Sequence, residues 1–250
     1  MATDARPSVR RGDAVAFGMA ALVMGVVFAG VTAWVVADPD GVTPVDESID
    51  AAVHEVAVAN PWLVDVSLAL QWLGSVPVTA VVVTVVVVAL LLAGGLARPW
   101  GARAYAAAFL ALSAAGAAVL NTVVKHLVER PRPPWNGLWS YEESLSYPSG
   151  HAQAGISAWV AMGLVALVVL RGRWRWVVAL PLLVVGPVIG MSRTVLGVHW
   201  PTDVLGGWTL GAAWMSLSAF LVILVASRTP PQVPAIGPPP TPAEDGSPAA

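Results

Sequence analysis

The chain has 250 residues, 57% hydrophobic and 11% charged, with a net charge of −2. An ordinary soluble domain carries about 25% charged residues, and several apolar runs here approach or exceed the roughly 18 residues that cross a bilayer. The composition therefore indicates an integral membrane protein, offers no basic surface for nucleic acid, and, with no cysteine at all, excludes disulfides, thiolate metal sites and a cysteine nucleophile.

Residues 1–13 are polar, carry Arg6, Arg10 and Arg11, and read as an N-terminal tail. The apolar run Ala14 to Ala37 is too long for a typical signal-peptide core and lacks a small-residue cleavage site before Asp38, so it reads as a first membrane helix. Residues 38–60 form an acidic loop. Within it, Thr43-Pro44-Val45-Asp46 looks like a helix start. Ile49, Val53 and Val56 then recur at helical spacing, which fits a short amphipathic helix in the interface or an ordinary connecting helix. His54 reads as a solvated surface histidine. Residues 62–94 are expected to form one long second helix, bent at Gly74-Ser75-Val76-Pro77. Residues 104–124 are a third helix, rich in Ala and Gly, which suits close packing.

Residues 125–150 are the longest polar stretch between apolar segments. A fourth helix is expected over 152–170 and a fifth over 176–191, kinked by Pro181 and Pro187. Pro201 sits where a helix start tolerates proline, and 201–226 form a sixth. Gly207 and Gly211 make a small-xxx-small pair suited to packing. From residue 227 the Pro-rich tail reads as disordered.

The chain is thus expected to be all-α and polytopic, with six transmembrane helices in a body spanning 14–226. Six crossings put the ends of helices 1, 3 and 5 and the starts of helices 2, 4 and 6 on one side, and both unusual polar stretches, 125–151 and 192–203, fall there. The other side carries Arg6, Arg10, Arg11, Arg98, Arg103, Arg171, Arg173, Arg175 and Arg228, against Lys125, Arg130, Arg132 and Arg193 on the polar side. The positive-inside rule then places both termini in the cytoplasm and the polar site outside it.

Three groups of residues converge on that face. In Lys125-His126-Leu127-Val128-Glu129-Arg130-Pro131-Arg132-Pro133, the cations Lys125 and Arg132 stand seven apart, the second braced by prolines. In Pro148-Ser149-Gly150-His151, Ser149 can cap the fourth helix, Gly150 lets a ligand approach the backbone, and the freed N–H groups make an anion site. In the stretch Ser192 to Asp203, His199 and Asp203 are four apart and would share a face of a helix. The carboxylate could then hold one imidazole nitrogen protonated and leave the other as a nucleophile. Arg193 adds a planar cation suited to phosphate. Taken alone, the same residues could be boundary side chains, with Arg193 snorkelling and Trp200 in an interfacial belt. Three cations, a helix N-terminus, two histidines and an aspartate, without a carboxylate cluster, suit phosphoryl transfer through a histidine.

Lys-x6-Arg-Pro, Pro-Ser-Gly-His and Ser-Arg-x5-His-x3-Asp, in this order, resemble the three signature motifs of the type 2 phosphatidic acid phosphatase superfamily, whose site is shared by soluble vanadium haloperoxidases. The resemblance implies a membrane lipid phosphatase that needs no metal or other cofactor. By similarity, His199 would attack phosphorus and form a phosphohistidine, Asp203 would orient it, and His151 would protonate the leaving oxygen and then help activate water. Lys125, Arg132 and Arg193 would bind phosphate oxygens, with Ser149 and Gly150 completing the cradle. His126, Glu129 and Arg130 lie outside the motif letters and receive no catalytic role; Glu142 and Glu143 read as a solvated loop, the alternative being that they shape the entrance or the head-group choice. The expected partners are the bilayer and a lipid phosphate, with undecaprenyl pyrophosphate first and phosphatidic acid or phosphatidylglycerol phosphate next. The expected place is the plasma membrane. A haloperoxidase and a non-catalytic lipid-phosphate binder are the rival readings.

Overall fold

The computed structural model describes residues 11–38, 43–93 and 101–228. The sequence readings for 1–10, 39–42, Arg98 and the tail from residue 229 lie outside the described residues. Within them the helices are α1 (Arg11–Ala37), α2 (Pro44–Ala59), α3 (Pro61–Gly74), α4 (Val76–Ala93), α5 (Ala102–Val128), α6 (Gly150–Val169), α7 (Trp174–Val195) and α8 (Pro201–Arg228). Six are long and apolar enough to cross a membrane: α1, α4, α5, α6, α7 and α8. The protein is a multi-pass, all-helical membrane protein.

The second crossing differs from expectation. The described part of that stretch, residues 62–93, lies in two helices, and only α4 has the length of a span by itself. Ser75 breaks them, its Oγ donating to the Trp72 carbonyl at 2.8 Å and its own carbonyl accepting from Thr79 N at 2.9 Å, the first bond of α4. Pro77 falls in the first turn of α4, where its missing N–H costs nothing, so a fresh helix start replaces a bend. The short α3 instead pairs with α2 across a 109° turn at Asn60. Both helices therefore lie at the end of the bundle that carries the polar loop.

The core is formed by α4, α5, α6, α7 and α8 around Leu110, Trp159, Met162, Ile189 and Met215. α1 packs along α8. Small residues set the closest approaches, as expected where helices associate without a solvent-driven hydrophobic term. A Cβ on Gly155 would lie 2.1 Å from the Gly186 carbonyl oxygen, so α6 and α7 cross nearly backbone to backbone. The crossing falls in a π-helical turn, Gly155–Val160, of α6. Apolar side chains such as Leu22, Val85 and Leu92 point outward and are exposed, the arrangement a lipid-facing surface requires. Exposed Trp62 and Trp72 stand near one end of the bundle, and Trp174 and Trp176 near the other, where Arg173 and Arg175 lie over their rings.

α2 is amphipathic but turned opposite to a soluble helix. Asp46 and Asp50 are buried, whereas Val45, Ile49 and Val56 are exposed. A capping box with Thr43 starts it. His54 is half-buried rather than solvated. Its ring stacks on Trp135 with centroids 3.8 Å apart, and its Nδ1 is sealed from solvent.

Candidate active site

Buried side chains at one end of the bundle are arranged around His199, which sits in the turn between α7 and α8. His199 lies between the two helices, as the bounds expected for them imply, so it does not share a helix face with Asp203, which lies in the first turn of α8. The pairing survives because residues 200–203 make a tight cap. Trp200 N donates to Asp203 Oδ2 at 2.9 Å and Asp203 N donates to the Trp200 carbonyl at 3.0 Å. This brings His199 Nδ1 to 3.3 Å from Asp203 Oδ2.

The partners define the imidazole tautomer. His199 Nε2 lies 3.3 Å from Arg132 Nη1. A guanidinium can only donate, so Nε2 carries the lone pair and Nδ1 carries the proton that faces Asp203. Burial drives the His199 pKa well below the ordinary imidazole range. The charges of Arg132, Lys125 and Arg193 push the same way, keeping the ring neutral. A neutral imidazole whose Nε2 keeps its lone pair among cations is a nucleophile suited to an anion.

Arg132 is fixed by its surroundings. Its Nε donates to the Ser144 carbonyl at 2.6 Å and Nη1 to the Val198 carbonyl at 2.5 Å. Lys125, in the last turn of α5, donates to the Leu145 carbonyl, which also accepts from Arg132 Nη2 at 3.3 Å. The two motif cations thus meet on one loop carbonyl. Lys125 turns into the loop instead of snorkelling outward.

Arg193 and His151 meet on α3, through a residue the sequence did not single out. Arg193 Nη1 donates to Gln71 Oε1 at 2.6 Å, and Nη2 pairs with Glu142 Oε1 at 2.6 Å. Its Nε is buried and has no hydrogen-bond partner among the described residues, leaving a donor for an anion. Glu142 is accordingly part of the site wall and not merely a solvated loop residue. His151 Nε2 lies 3.1 Å from the Gln71 carbonyl, which only accepts, so Nε2 bears a proton and Nδ1 is left to exchange one.

Ser149 caps α6, its Oγ accepting from Ala152 N at 3.4 Å, while its own N donates to the Asp203 carbonyl at 3.0 Å. A Cβ on Gly150 would come 3.3 Å from Asn121 Oδ1, so the missing side chain serves the approach of α5. Gly207 and Gly211 let α8 rest on this cap: Cβ atoms there would meet the Ser149 and Gln153 carbonyl oxygens at 2.5 and 2.9 Å.

Two further residues were not legible as site residues. Ser146 Oγ donates to Asp203 Oδ2 and lies 3.4 Å from His199 Nδ1. Arg130 is fully buried and pairs with both Asp203 Oδ1 and Asp46 Oδ2 at 2.5 Å.

The PAP2 superfamily profile matches residues 106–225, which contain all three motifs. The chain is 34% identical over 126 residues to the undecaprenyl-diphosphatase of Sulfolobus acidocaldarius (48% of this chain, 55% of that one). It is 30% identical over 169 residues to phosphatidylglycerophosphatase B of Bacillus subtilis (66% and 79%). To the decaprenylphosphoryl-5-phosphoribose phosphatase of Mycolicibacterium smegmatis it is 39% identical over 126 residues (48% and 61%). The chain thus spans little more than half of the first and third of these relatives. A crystal structure of a transmembrane PAP2 type phosphatidylglycerolphosphate phosphatase from Bacillus subtilis has the same fold, with a TM-score of 0.67, 24% identity, and coverage of 86% of this chain and 99% of that one. On the strength of the profile and the extended similarity to the Bacillus protein, this chain belongs to the PAP2 superfamily.

Proposed function

We propose that the protein is an integral membrane phosphatase that hydrolyses the phosphate or pyrophosphate ester of a lipid through a phosphohistidine on His199, without a metal. The observation that carries this reading is the buried, neutral His199, with Nδ1–H on Asp203 and the Nε2 lone pair beside Arg132.

In the first step the Nε2 lone pair attacks phosphorus in line. The P–N bond forms as the P–O bond to the lipid breaks, and the electron pair leaves on the lipid oxygen, which takes the Nδ1 proton of a doubly protonated His151 and leaves its Nε2–H on the Gln71 carbonyl. Asp203 stabilises the charge that develops on the His199 ring. Lys125, Arg132 and Arg193, with the buried Arg193 Nε and the cap at Ser149 and Gly150, neutralise the three equatorial oxygens. In the second step water attacks phosphorus and gives its proton to His151; the P–N bond breaks and phosphate leaves. Side-chain cations supply the charge that a metal would otherwise provide.

The site lies at one end of the spans, where a lipid phosphate at head-group depth meets it with its tails still in the bilayer. The count of basic residues supports a plasma-membrane enzyme with cytoplasmic termini and an outward-facing site. Undecaprenyl pyrophosphate is the first substrate choice, followed by phosphatidylglycerol phosphate and phosphatidic acid, in keeping with the names of the relatives.

The test is phosphate release by purified protein from these three lipids, with His199→Ala as the blank. Release from at least one lipid, inhibition by vanadate and persistence in EDTA are expected. Turnover by the His199→Ala protein, or strict dependence on a divalent cation, would contradict the reading.

A further inference from the structure

The carboxylate of Asp203 is held from behind by groups that are not letters of the three motifs. Arg130 Nη1 lies 2.5 Å from Asp203 Oδ1, and Arg130 Nη2 lies 2.5 Å from Asp46 Oδ2; all three side chains are inaccessible to solvent. Thr202 closes the ring. Its Oγ1 accepts from Arg130 Nη1 at 2.7 Å and donates to Asp46 Oδ2 at 2.8 Å, and its backbone N donates to Asp46 Oδ1 at 2.9 Å. Asp46 is in turn fixed by the start of its own helix, where Thr43 Oγ1 donates to Oδ2 at 2.9 Å.

Trp200 N and Ser146 Oγ hold Oδ2 from the other side, but without Arg130 the Oδ1 end has no charged partner and the carboxylate can swing about χ2, because that torsion has broad minima. Arg130 is planar and bidentate toward two different acids, so it fixes the plane as well as the position of Asp203. With Oδ1 held by Arg130, Oδ2 is the oxygen turned to His199 Nδ1 at 3.3 Å. The proton on Nδ1, and hence the lone pair on Nε2, depends on that orientation. A buried ion pair is weak evidence for stability by itself, since an apolar replacement is often as stable. Its value is better sought in geometry.

We propose that Asp46 and Arg130 are positioning residues for the phosphoryl-transfer step, locking Asp203 so that its Oδ2 meets His199, and that α2 is part of the catalytic apparatus through them. Both side chains are sealed behind Asp203, and they act on the reaction through it.

This inference rests on the phosphatase reading, and wild-type phosphate release is therefore measured first; a wild-type protein inactive on the lipid panel would end that reading before this one. Given an active wild type, the variants are Asp46→Asn, Arg130→Lys, Arg130→Met and the double Asp46→Leu/Arg130→Met, which removes both charges together. Each is checked for monodispersity in detergent and thermal midpoint. Where an outer partner orients a metal-binding imidazole its loss costs about tenfold to a hundredfold, and a fall of that order is taken for the orientation of His199 through Asp203. That fall is expected in kcat for Asp46→Asn and for the double variant, with KM within about twofold, because Lys125, Arg132 and Arg193 still hold the phosphate. Arg130→Lys, which keeps a charge on Asp203, should recover part of the kcat lost in Arg130→Met. A folded double variant with wild-type kcat would overturn the proposal. So would a change confined to KM, or failure of every variant to fold, which would assign the pair to the fold alone.

Discussion

Replacing Gly207 by Ala adds a single methyl group at the contact between α8 and the cap of α6. The added Cβ would lie 2.5 Å from the Ser149 carbonyl oxygen, 2.8 Å from Ala152 Cβ and 3.1 Å from Gln153 N. Ordinary contact begins near 3.4 Å, so α8 must withdraw by roughly 1 Å, and two of the three neighbours are backbone atoms that cannot rotate away. Overpacking of this kind costs about 1–3 kcal/mol. The functional effect should be larger than the stability effect. α8 carries Asp203, whose carbonyl accepts from Ser149 N at 3.0 Å, so the same displacement separates the Asp203–His199 side of the site from the Ser149–Gly150 side. A misplacement of about 1 Å is enough to cost on the order of a hundredfold in rate. Phosphate release and thermal midpoint should be measured together on Gly207→Ala and on Gly25→Ala. The second glycine has nothing within 4 Å of its would-be Cβ, and a helical Ala there should be neutral or gain about 0.5–1 kcal/mol. Wild-type turnover in Gly207→Ala would refute the reasoning that close α6–α8 contact sets the site.

Three other predictions follow from the site's walls. Gln71→Ala removes the acceptor of Arg193 Nη1, a charge-assisted hydrogen bond; a net loss of about 1.5–3 kcal/mol should appear as a fall of roughly tenfold or more in kcat/KM, and an unchanged value would show that the Gln71 side chain contributes nothing to holding Arg193. Burial, with the nearby charges of Asp46 and Asp203 adding to it and a Trp135 hydrogen bond opposing it, pushes the Asp50 pKa up from 3.8 to about 6. The folded state thus binds that proton more tightly than the unfolded chain, so stability is lost as pH rises from about 4 to about 6. Asp50→Asn should raise the thermal midpoint near pH 7 and flatten its change across that window, whereas a lower midpoint at both ends would contradict the sign. Trp135→Ala exposes the stacked face of His54 and removes the Asp50 hydrogen bond; Trp135 is half-buried, so its loss should cost less than the about 3–5 kcal/mol of a fully buried aromatic, but the midpoint should still fall below that of Asp50→Asn, and equal midpoints would show that the stacking contributes little.

The membrane architecture was legible because its signals are local. Apolar length gave the spans, Pro at 44 and 201 gave helix starts, and the ordered motifs brought Lys125, Arg132, His151, Arg193, His199 and Asp203 to one end of the bundle. What was not legible depends on contacts between distant segments. Gln71 is a lone amide in a segment read as part of a crossing, and only the break at Ser75 shows that α3 stops beside His151. Asp46 and Asp50 looked like the wet face of an amphipathic helix. That rule takes solvent to lie outside the fold, and here the apolar face of α2 points outward while Arg130 and the α8 backbone satisfy Asp46 inside. Arg130 carried no motif letter, and a buried arginine is invisible in sequence until its two acids are found 84 and 73 residues away.

The central claim is covalent, so its most direct test is to trap the intermediate. Purified protein mixed with a hydrolysed lipid phosphate, quenched in alkaline denaturant within the first turnovers and digested for mass spectrometry, should carry a phosphoryl group on His199. The adduct should be stable to base and labile to acid, absent from His199→Ala, and more abundant in His151→Ala if His151 activates the hydrolytic water. Turnover on that lipid with no phosphorylated His199 in either protein, or with oxygen from labelled water entering phosphate with inversion in a single direct displacement, would contradict the account.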